Sequence, residues 1–299
     1  MIKASRLYVA SSLCLALFSM AFCPQAFAQG LPATDLWLAE IDNAIPDDPV
    51  KISLGNGYNN QPHFSEDGSV IYYTREMPVE GASSQTDIAA FNTNTSITTM
   101  VNSTAESEYS PTPIPGRNAL SVIQADLNQK QFLFAIDIAS GNMELLLPGV
   151  EPVGYHAWFN EQEVAMFILG DSFTLQTAKL NSMGTAVIAD NIGRSIRKHP
   201  ETGEVLFVDK NSEPWQIAAF NPETGSKRIV MPLFPAGEDF TIDATGTYWT
   251  GNGSKLYQRT PADNRWKLIA DYSNSGIRQI SRLAIHLKSG QIAVVSDRQ

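Results

Sequence analysis

The chain has 299 residues, and its 31 acidic side chains outnumber 21 basic ones, giving a formal net charge of −10. A protein this acidic has no electrostatic basis for binding nucleic acid or an anionic lipid surface, so both functions are excluded. Hydrophobic residues make up 43% of the chain, enough for a substantial buried core at this length.

The first 28 residues have the features of a signal peptide. Lys3 and Arg6 give a positive start, and an apolar run over residues 7–22 follows. Ala26-Phe27-Ala28 places small residues where a signal peptidase reads them, so we predict cleavage before Gln29. The apolar run is too short for a stable membrane span. We therefore expect a periplasmic or secreted mature protein, and one without disulfides, because both cysteines lie in the removed segment.

A repeated strand–turn–strand unit begins at Pro62–Gly68, where an apolar strand runs into a tight Asp-Gly turn, and Ser69–Tyr73 forms the second strand. Weaker copies occupy residues 113–122, 158–168, 197–208, 241–249 and 283–295. The turns are marked by Gly68, Gly116, Gln162, Gly203, Gly246 and Gly290, at steps of 48, 46, 41, 43 and 44 residues. This spacing is typical of the four-stranded blades of a β-propeller.

Second hairpins follow several of these units. The pattern is clearest at residues 86–101, 132–147 and 215–231, where two apolar runs flank a turn rich in Asn, Asp, Pro and Gly. No long segment shows the 3.6-residue periodicity of an amphipathic helix, so the sequence predicts an all-β fold.

The two ends of the mature chain supply complementary halves of one blade. Residues 292–298 form the second strand of the sixth unit, and no second hairpin follows them. Thr34–Ala39 matches the pattern of Thr86–Phe91, and Val50–Leu54 can pair with it. We therefore predict that residues 29–299 form one six-bladed β-propeller, closed by pairing of the N- and C-terminal strands, which leaves no open ring edge.

The motif Pro62-His63-Phe64-Ser65-Glu66-Asp67-Gly68 resembles the P-x-F-S-x-D-G signature of the TolB-like, WD-like propeller repeats of bacterial exported proteins. The closing Ser296-Asp297-Arg298 is similar to a strand ending common in that group. TolB proteins carry an additional α/β domain before the propeller, for which this chain has no room. The resemblance thus implies a stand-alone exported propeller of this type.

Polar residues recur just before the innermost strand of each predicted blade, where loops reach one mouth of the central channel. Convergent polar groups over an apolar scaffold are a common form of ligand site. The predicted ligand-binding residues are Gln61, Glu108, Tyr109, His156, Arg194, Asp239 and Arg278. Among them, Glu108, His156 and Arg194 come from successive blades and are expected to form one patch. The structural alternative is that these are solvated loop residues or channel-packing groups.

Two functions follow from this site. The first is an exported, non-enzymatic scaffold that binds an envelope or extracellular protein, a peptide or a glycan at the channel mouth, with no catalytic residue and no cofactor. The alternative is a calcium-dependent hydrolase of the six-bladed lactonase or esterase type, with Asn60, Gln61, Glu108 and Asp239 as oxygen ligands. Arginines at the same mouth disfavour a cation there.

Other chemistry has little support in the sequence. The G-x-S-x-G motif of serine hydrolases is absent. The four histidines fall in four different units, with His63 and His286 inside innermost strands, His156 just before one and His199 near a turn. This scatter does not predict the convergence that a His-rich metal site requires.

Overall fold

The structure, a computed structural model, describes residues 30–42, 45–78, 85–235, 237–286 and 288–298. The predicted signal peptide, residues 1–28, lies outside these ranges. Every helix or strand assigned within them is a β-strand, which confirms the all-β prediction. In the same part of the chain, no helix has the length and apolarity that crossing a membrane requires.

Five consecutive four-stranded antiparallel sheets form blades 1 to 5. Blades 1 and 2 comprise β4 (Asn59–Phe64), β5 (Val70–Met77), β6 (Gln85–Asn92), β7 (Ile97–Met100), β8 (Ser107–Pro113), β9 (Ala119–Ala125), β10 (Gln131–Asp137) and β11 (Met143–Leu145). Blade 3 comprises β12 (Val153–Trp158), β13 (Glu163–Ile168), β14 (Thr174–Lys179) and β15 (Ala186–Ala189). Blades 4 and 5 comprise β16 (Ile192–Lys198), β17 (Val205–Asp209), β18 (Gln216–Phe220), β19 (Lys227–Pro232), β20 (Thr241–Ile242), β21 (Tyr248–Asn252), β22 (Lys255–Arg259) and β23 (Lys267–Asp271).

Blade 6 closes the ring from both ends of the chain. It joins β24 (Ile280–His286) and β25 (Gln291–Asp297) to β1 (Thr34–Asp42), while β2 (Ile45–Pro46) and β3 (Val50–Lys51) both pair with β1. The β1–β25 ladder is antiparallel and continuous over seven residue pairs, from Thr34↔Asp297 to Glu40↔Gln291. This arrangement confirms the predicted closure by the N- and C-terminal strands; β2 is an additional short strand.

The core lies between neighbouring blades. Leu36 of β1, Ile71 and Tyr73 of β5, and Val295 of β25 are fully buried in one cluster that joins blade 6 to blade 1. Because neighbouring blades cover both faces of each sheet, the middle strands are continuous apolar runs rather than alternating ones, as in β17 (Val205–Asp209).

The turn markers of the sequence correspond to left-handed backbone positions. Gly68, Gly116, Gly203, Gly246 and Gly290 all have positive φ, a conformation that glycine adopts without steric cost. The third blade has Gln162 at this position, and Gln162 is not among the residues with positive φ. Its main-chain N–H donates to Asn160 Oδ1 at 2.9 Å.

The innermost strands are irregular. Register shifts interrupt the pairing of β4, β8, β12, β16 and β24 with their neighbours, and β20 has only two residues. A β-bulge re-aims the side chains that follow it. These shifts determine which residues of each strand face the channel.

Candidate functional site

All six innermost strands contribute side chains to one central cavity of about 400 Å³. Its lining is rich in cations: Arg194, Arg197, Lys198 and Arg282 face it, against the two acids Glu66 and Asp239. Arg194 is paired at 3.7 Å with Glu238, which lies outside the lining, so the lining keeps an excess of one positive charge in a chain whose net charge is −10.

Burial increases along the cavity. Glu66 and Lys198, near the ends of their strands, are exposed, whereas Asp239 and Arg282 are each only 8% exposed. A ligand that enters from the exposed end meets a buried, charged floor, where weak screening by solvent strengthens electrostatic contacts.

Asp239 lies near two arginines, Arg197 and Arg282, and forms an ion pair with Arg197. Asp239 Oδ1 lies 3.4 Å from Arg197 Nη2, and Asp239 Oδ2 accepts a 2.9 Å hydrogen bond from the Leu283 amide. Burial and the nearby Arg282 cation lower the pKa of Arg197, while Asp239 opposes the shift. One carboxylate, already bonded to main chain, leaves positive charge uncompensated between the two guanidinium groups.

Arg282 also spans the channel. Its Nη2 donates to Tyr155 Oη at 3.0 Å, and its guanidinium lies 5.4 Å from the centre of the Tyr155 ring. Because consecutive blades are neighbours, blades 3 and 6, which hold these residues, lie opposite each other in the ring. The contact holds Arg282 across the channel and orients its guanidinium within the lining.

His63 presents a hydrogen-bond acceptor to the cavity. Its Nδ1 lies 3.0 Å from the Phe64 carbonyl oxygen, which can only accept, so Nδ1 carries the proton. Nε2 is left with a lone pair and has no hydrogen-bond partner within the described residues. The His63 side chain is exposed to the cavity, but partial loss of hydration within the ring lowers its pKa below the ordinary value, and the Arg197 cation contributes to this shift. The imidazole is therefore neutral at physiological pH.

His156 presents a second acceptor. Ser121 Oγ lies 2.6 Å from His156 Nε2. The same oxygen accepts a 2.7 Å hydrogen bond from the Trp158 indole N–H and donates a 3.1 Å hydrogen bond to the Thr112 carbonyl. All three bonds form together only if His156 Nε2 carries the proton, which leaves Nδ1 as a bare acceptor. Nδ1 is buried and has no partner within the described ranges. Burial lowers the pKa of His156 to about 3.

Three of the four histidines lie on the same cavity despite their scatter along the sequence. His63, His156 and His286 all line the cavity, because innermost strands from separate blades surround one axis. His156 also lies within β12 rather than before it. Among the residues that the structure describes, no three His, Cys, Asp or Glu side chains are grouped to hold a metal ion.

Four of the seven predicted site residues, Gln61, His156, Arg194 and Asp239, line the cavity. Glu108 lies outside this lining: it is fully buried and accepts hydrogen bonds from the side chains of Asn102, Thr104 and Gln124. The structure thus does not join Glu108 to the His156 and Arg194 patch.

Tyr109 and Arg278 also lie outside the lining. Tyr109 packs against the apolar cluster around Leu133 and Val164, and Arg278 is exposed, with its amide donating to Ser296 Oγ at 2.9 Å. Of the oxygen ligands considered for calcium, Gln61 and Asp239 line the cavity, whereas Asn60 and Glu108 do not.

The sequence analysis did not identify Arg197, Arg282 or His63 as site residues. Each lies a few residues further along its strand than the position chosen from the sequence, beyond the register shift. The available signal was the presence of charged residues inside otherwise apolar innermost strands.

Comparison with known proteins identifies the fold and not the activity. A protein assigned as TolB in Agrobacterium tumefaciens superposes with a TM-score of 0.68 at 10% identity, covering 90% of this chain and 100% of that one. A gluconolactonase from Xanthomonas campestris gives 0.61 at 11% identity, covering 90% and 98%. An oligogalacturonate lyase from Vibrio parahaemolyticus gives 0.56 at 15% identity, covering 83% and 80%.

No protein-family profile matches the sequence, and a comparison with curated proteins finds no relative. Identities this low establish architecture alone, because one fold hosts many functions. The chain has the six-bladed β-propeller fold of the TolB-like proteins, closed by its N- and C-terminal strands.

Proposed function

We propose that this chain is an exported, non-catalytic propeller that binds an anionic group of a peptide or glycan partner in its central channel. The observation that carries the proposal is that Arg197 and the buried Arg282 both line the cavity, while Asp239, the acid beside them, forms an ion pair with Arg197. The predicted signal peptide supports a periplasmic or secreted location. Binding in this form needs no metal or cofactor.

Electrostatics favour an anion at this floor. A buried guanidinium loses hydration, and a carboxylate with hydrogen-bonding geometry offsets that loss. Asp239 has one oxygen bonded to the Leu283 amide, and its contact with Arg197 is long at 3.4 Å. A ligand carboxylate could therefore form short, charge-assisted bonds that Asp239 does not provide.

The size of the cavity limits what enters it. A volume of about 400 Å³ lies within the range of small-ligand pockets and is far too small for a folded domain. A macromolecular partner would therefore insert one residue or one sugar unit, with the rest of its chain outside the rim that Glu66 and Lys198 form.

Thermal denaturation with small carboxylates tests the proposal. The probes are D-glucuronate, N-acetylglutamate and a tripeptide with a free carboxyl terminus, each paired with its uncharged ester or amide. We expect at least one carboxylate to raise the melting temperature, because it binds only the folded state, and its uncharged partner to have little effect. If no carboxylate stabilises the protein, or if the uncharged forms stabilise it equally, the proposal is wrong.

Arg197→Gln tests the location of the site. The change keeps a polar side chain but removes the cation. We expect about 10- to 100-fold weaker carboxylate binding, because one charge-assisted hydrogen bond is lost. Arg265→Gln is the matched control, because Arg265 is exposed and lies outside the cavity lining. Equal affinities of the two variants would place the anion elsewhere.

A further inference from the structure

We infer that the anionic group belongs to an acidic sugar, whose carboxylate meets Arg197 and Arg282 while its hydroxyls donate to His63 Nε2 and His156 Nδ1. This inference rests on the proposed binding function and names the class of its ligand. It uses a second, independent property of the cavity, the two imidazole acceptors.

The first step concerns His156. Its side chain is 7% exposed, and its Nδ1 is buried without a hydrogen-bond partner among the described residues. Buried polar atoms in native proteins are nearly always paired, so such an atom in a cavity lining marks a position where a ligand donor belongs. Because Nε2 already donates to Ser121, Nδ1 can only accept.

The second step concerns His63. The same reasoning leaves its Nε2 as an acceptor, since Nδ1 is committed to the Phe64 carbonyl. The pKa values of both imidazoles lie below the ordinary value of 6.5, that of the buried His156 at about 3, so neither becomes a donor at neutral pH. The cavity therefore offers two neutral acceptors in addition to its cationic floor.

The third step matches these groups to a ligand. A uronate carries hydroxyl donors and a carboxylate on one compact ring, so it can satisfy both kinds of group at once. The apolar wall that Trp158, Ile242 and Pro113 contribute is suited to the carbon face of such a ring. A peptide end also supplies a carboxylate, and its amide N–H groups can donate, but a uronate presents several hydroxyl donors on the same ring as the carboxylate.

Calorimetric titration of the wild-type chain with three probes separates the alternatives. D-Glucuronate carries both features, D-glucose carries the hydroxyls without the carboxylate, and N-acetylglutamate carries carboxylates without hydroxyls. We expect D-glucuronate to bind at least 10-fold more tightly than either of the other two, because a site with buried polar groups rejects a ligand that leaves them unpaired.

The outcomes distinguish the two proposals. If N-acetylglutamate binds as tightly as D-glucuronate, or more tightly, the acidic-sugar inference is wrong while anion binding stands. If glucose binds as well as glucuronate, sugar recognition does not use the arginines and the proposed function is wrong as well. Absence of binding by all three probes contradicts both.

A histidine substitution tests the acceptor role. His63→Leu keeps the bulk but removes Nε2, so we expect about 10-fold weaker binding of D-glucuronate and unchanged binding of N-acetylglutamate. His199→Leu, outside the cavity lining, is the control and should leave both affinities unchanged. If His63→Leu weakens both ligands equally, or neither, His63 does not accept from a sugar hydroxyl.

Discussion

At the scale of single residues, Glu108 is a buried carboxyl, although the sequence analysis placed it at the channel mouth. It is fully buried, and its side chain shares a hydrogen bond with Asp87, which is 1% exposed. Burial raises the pKa of Glu108 to about 7, although Gln124, Thr104 and Asn102 donate to it, and burial raises the pKa of Asp87 as well. Two neighbouring buried carboxyls hold a proton between them because both cannot ionise.

This raised pKa predicts a pH-dependent stability. The folded chain holds the Glu108 proton up to about pH 7, whereas the unfolded chain releases it near its ordinary value of 4.5. The stabilisation is therefore complete below pH 4.5 and is lost as the pH rises through 7. We expect the unfolding free energy of the wild-type chain to fall between pH 5 and pH 8, and Glu108→Gln to reduce this fall by roughly 2 to 3 kcal/mol. Urea unfolding at the two pH values measures the fall.

Glu223→Gln, at an exposed turn position, is the control for the same charge change and should leave the difference between pH 5 and pH 8 intact. An unchanged pH dependence in Glu108→Gln would show that this carboxyl ionises normally in the folded chain.

At the scale of elements, the hairpin turns show how the sequence specifies the blades. Gly203 has φ of +71°, and no atom lies within 4 Å of where a Cβ would be. Substitution there tests backbone preference without a packing clash. We expect Gly203→Ala to lower the unfolding free energy by about 1 to 2 kcal/mol, the cost of a left-handed alanine.

Gly203→Asn should cost less, because asparagine adopts this conformation more readily. Chemical denaturation of the two variants measures the difference. Equal costs would mean that the turn relaxes out of the left-handed region.

The closing strand β1 is the element on which the ring depends. Leu36 is fully buried between blades 6 and 1, so Leu36→Ala should lower the unfolding free energy by about 2 to 5 kcal/mol. Leu268→Ala, in the outermost strand of blade 5 with Leu268 53% exposed, is the control and should cost less than about 0.5 kcal/mol. A small effect of Leu36→Ala in thermal or urea unfolding would contradict an essential role for β1 in closing the ring.

At the scale of the whole molecule, the sequence predicted the architecture better than the site. The blade count and the closure followed from turn glycines such as Gly68 and from the unmatched terminal strands, and local backbone chemistry decides both. The cavity depends instead on which side chains of six separate strands face one axis. The register shifts near Asn60 and Ile192 change that facing, and no sequence pattern marks them. Four of the predicted residues therefore reached the cavity lining, while Arg197 and Arg282 were missed.

The ring also explains how an acidic chain acquires a cationic interior. Arg194 and Arg197 come from blade 4 and Arg282 from blade 6, with Asp239 of blade 5 between them. These positions are far apart in sequence, and only closure of the ring brings them to one cavity. The binding proposal thus depends on the same geometry as the fold.

The most direct test of binding in the channel is imidazole NMR during a titration with D-glucuronate. The chain has four histidines, so each ring can be assigned by single substitution in a ¹⁵N-labelled sample. We predict that the resonances of His63 Nε2 and His156 Nδ1 shift in proportion to saturation, while those of His199, outside the cavity, do not. Saturable binding that leaves His63 and His156 unshifted would contradict the account.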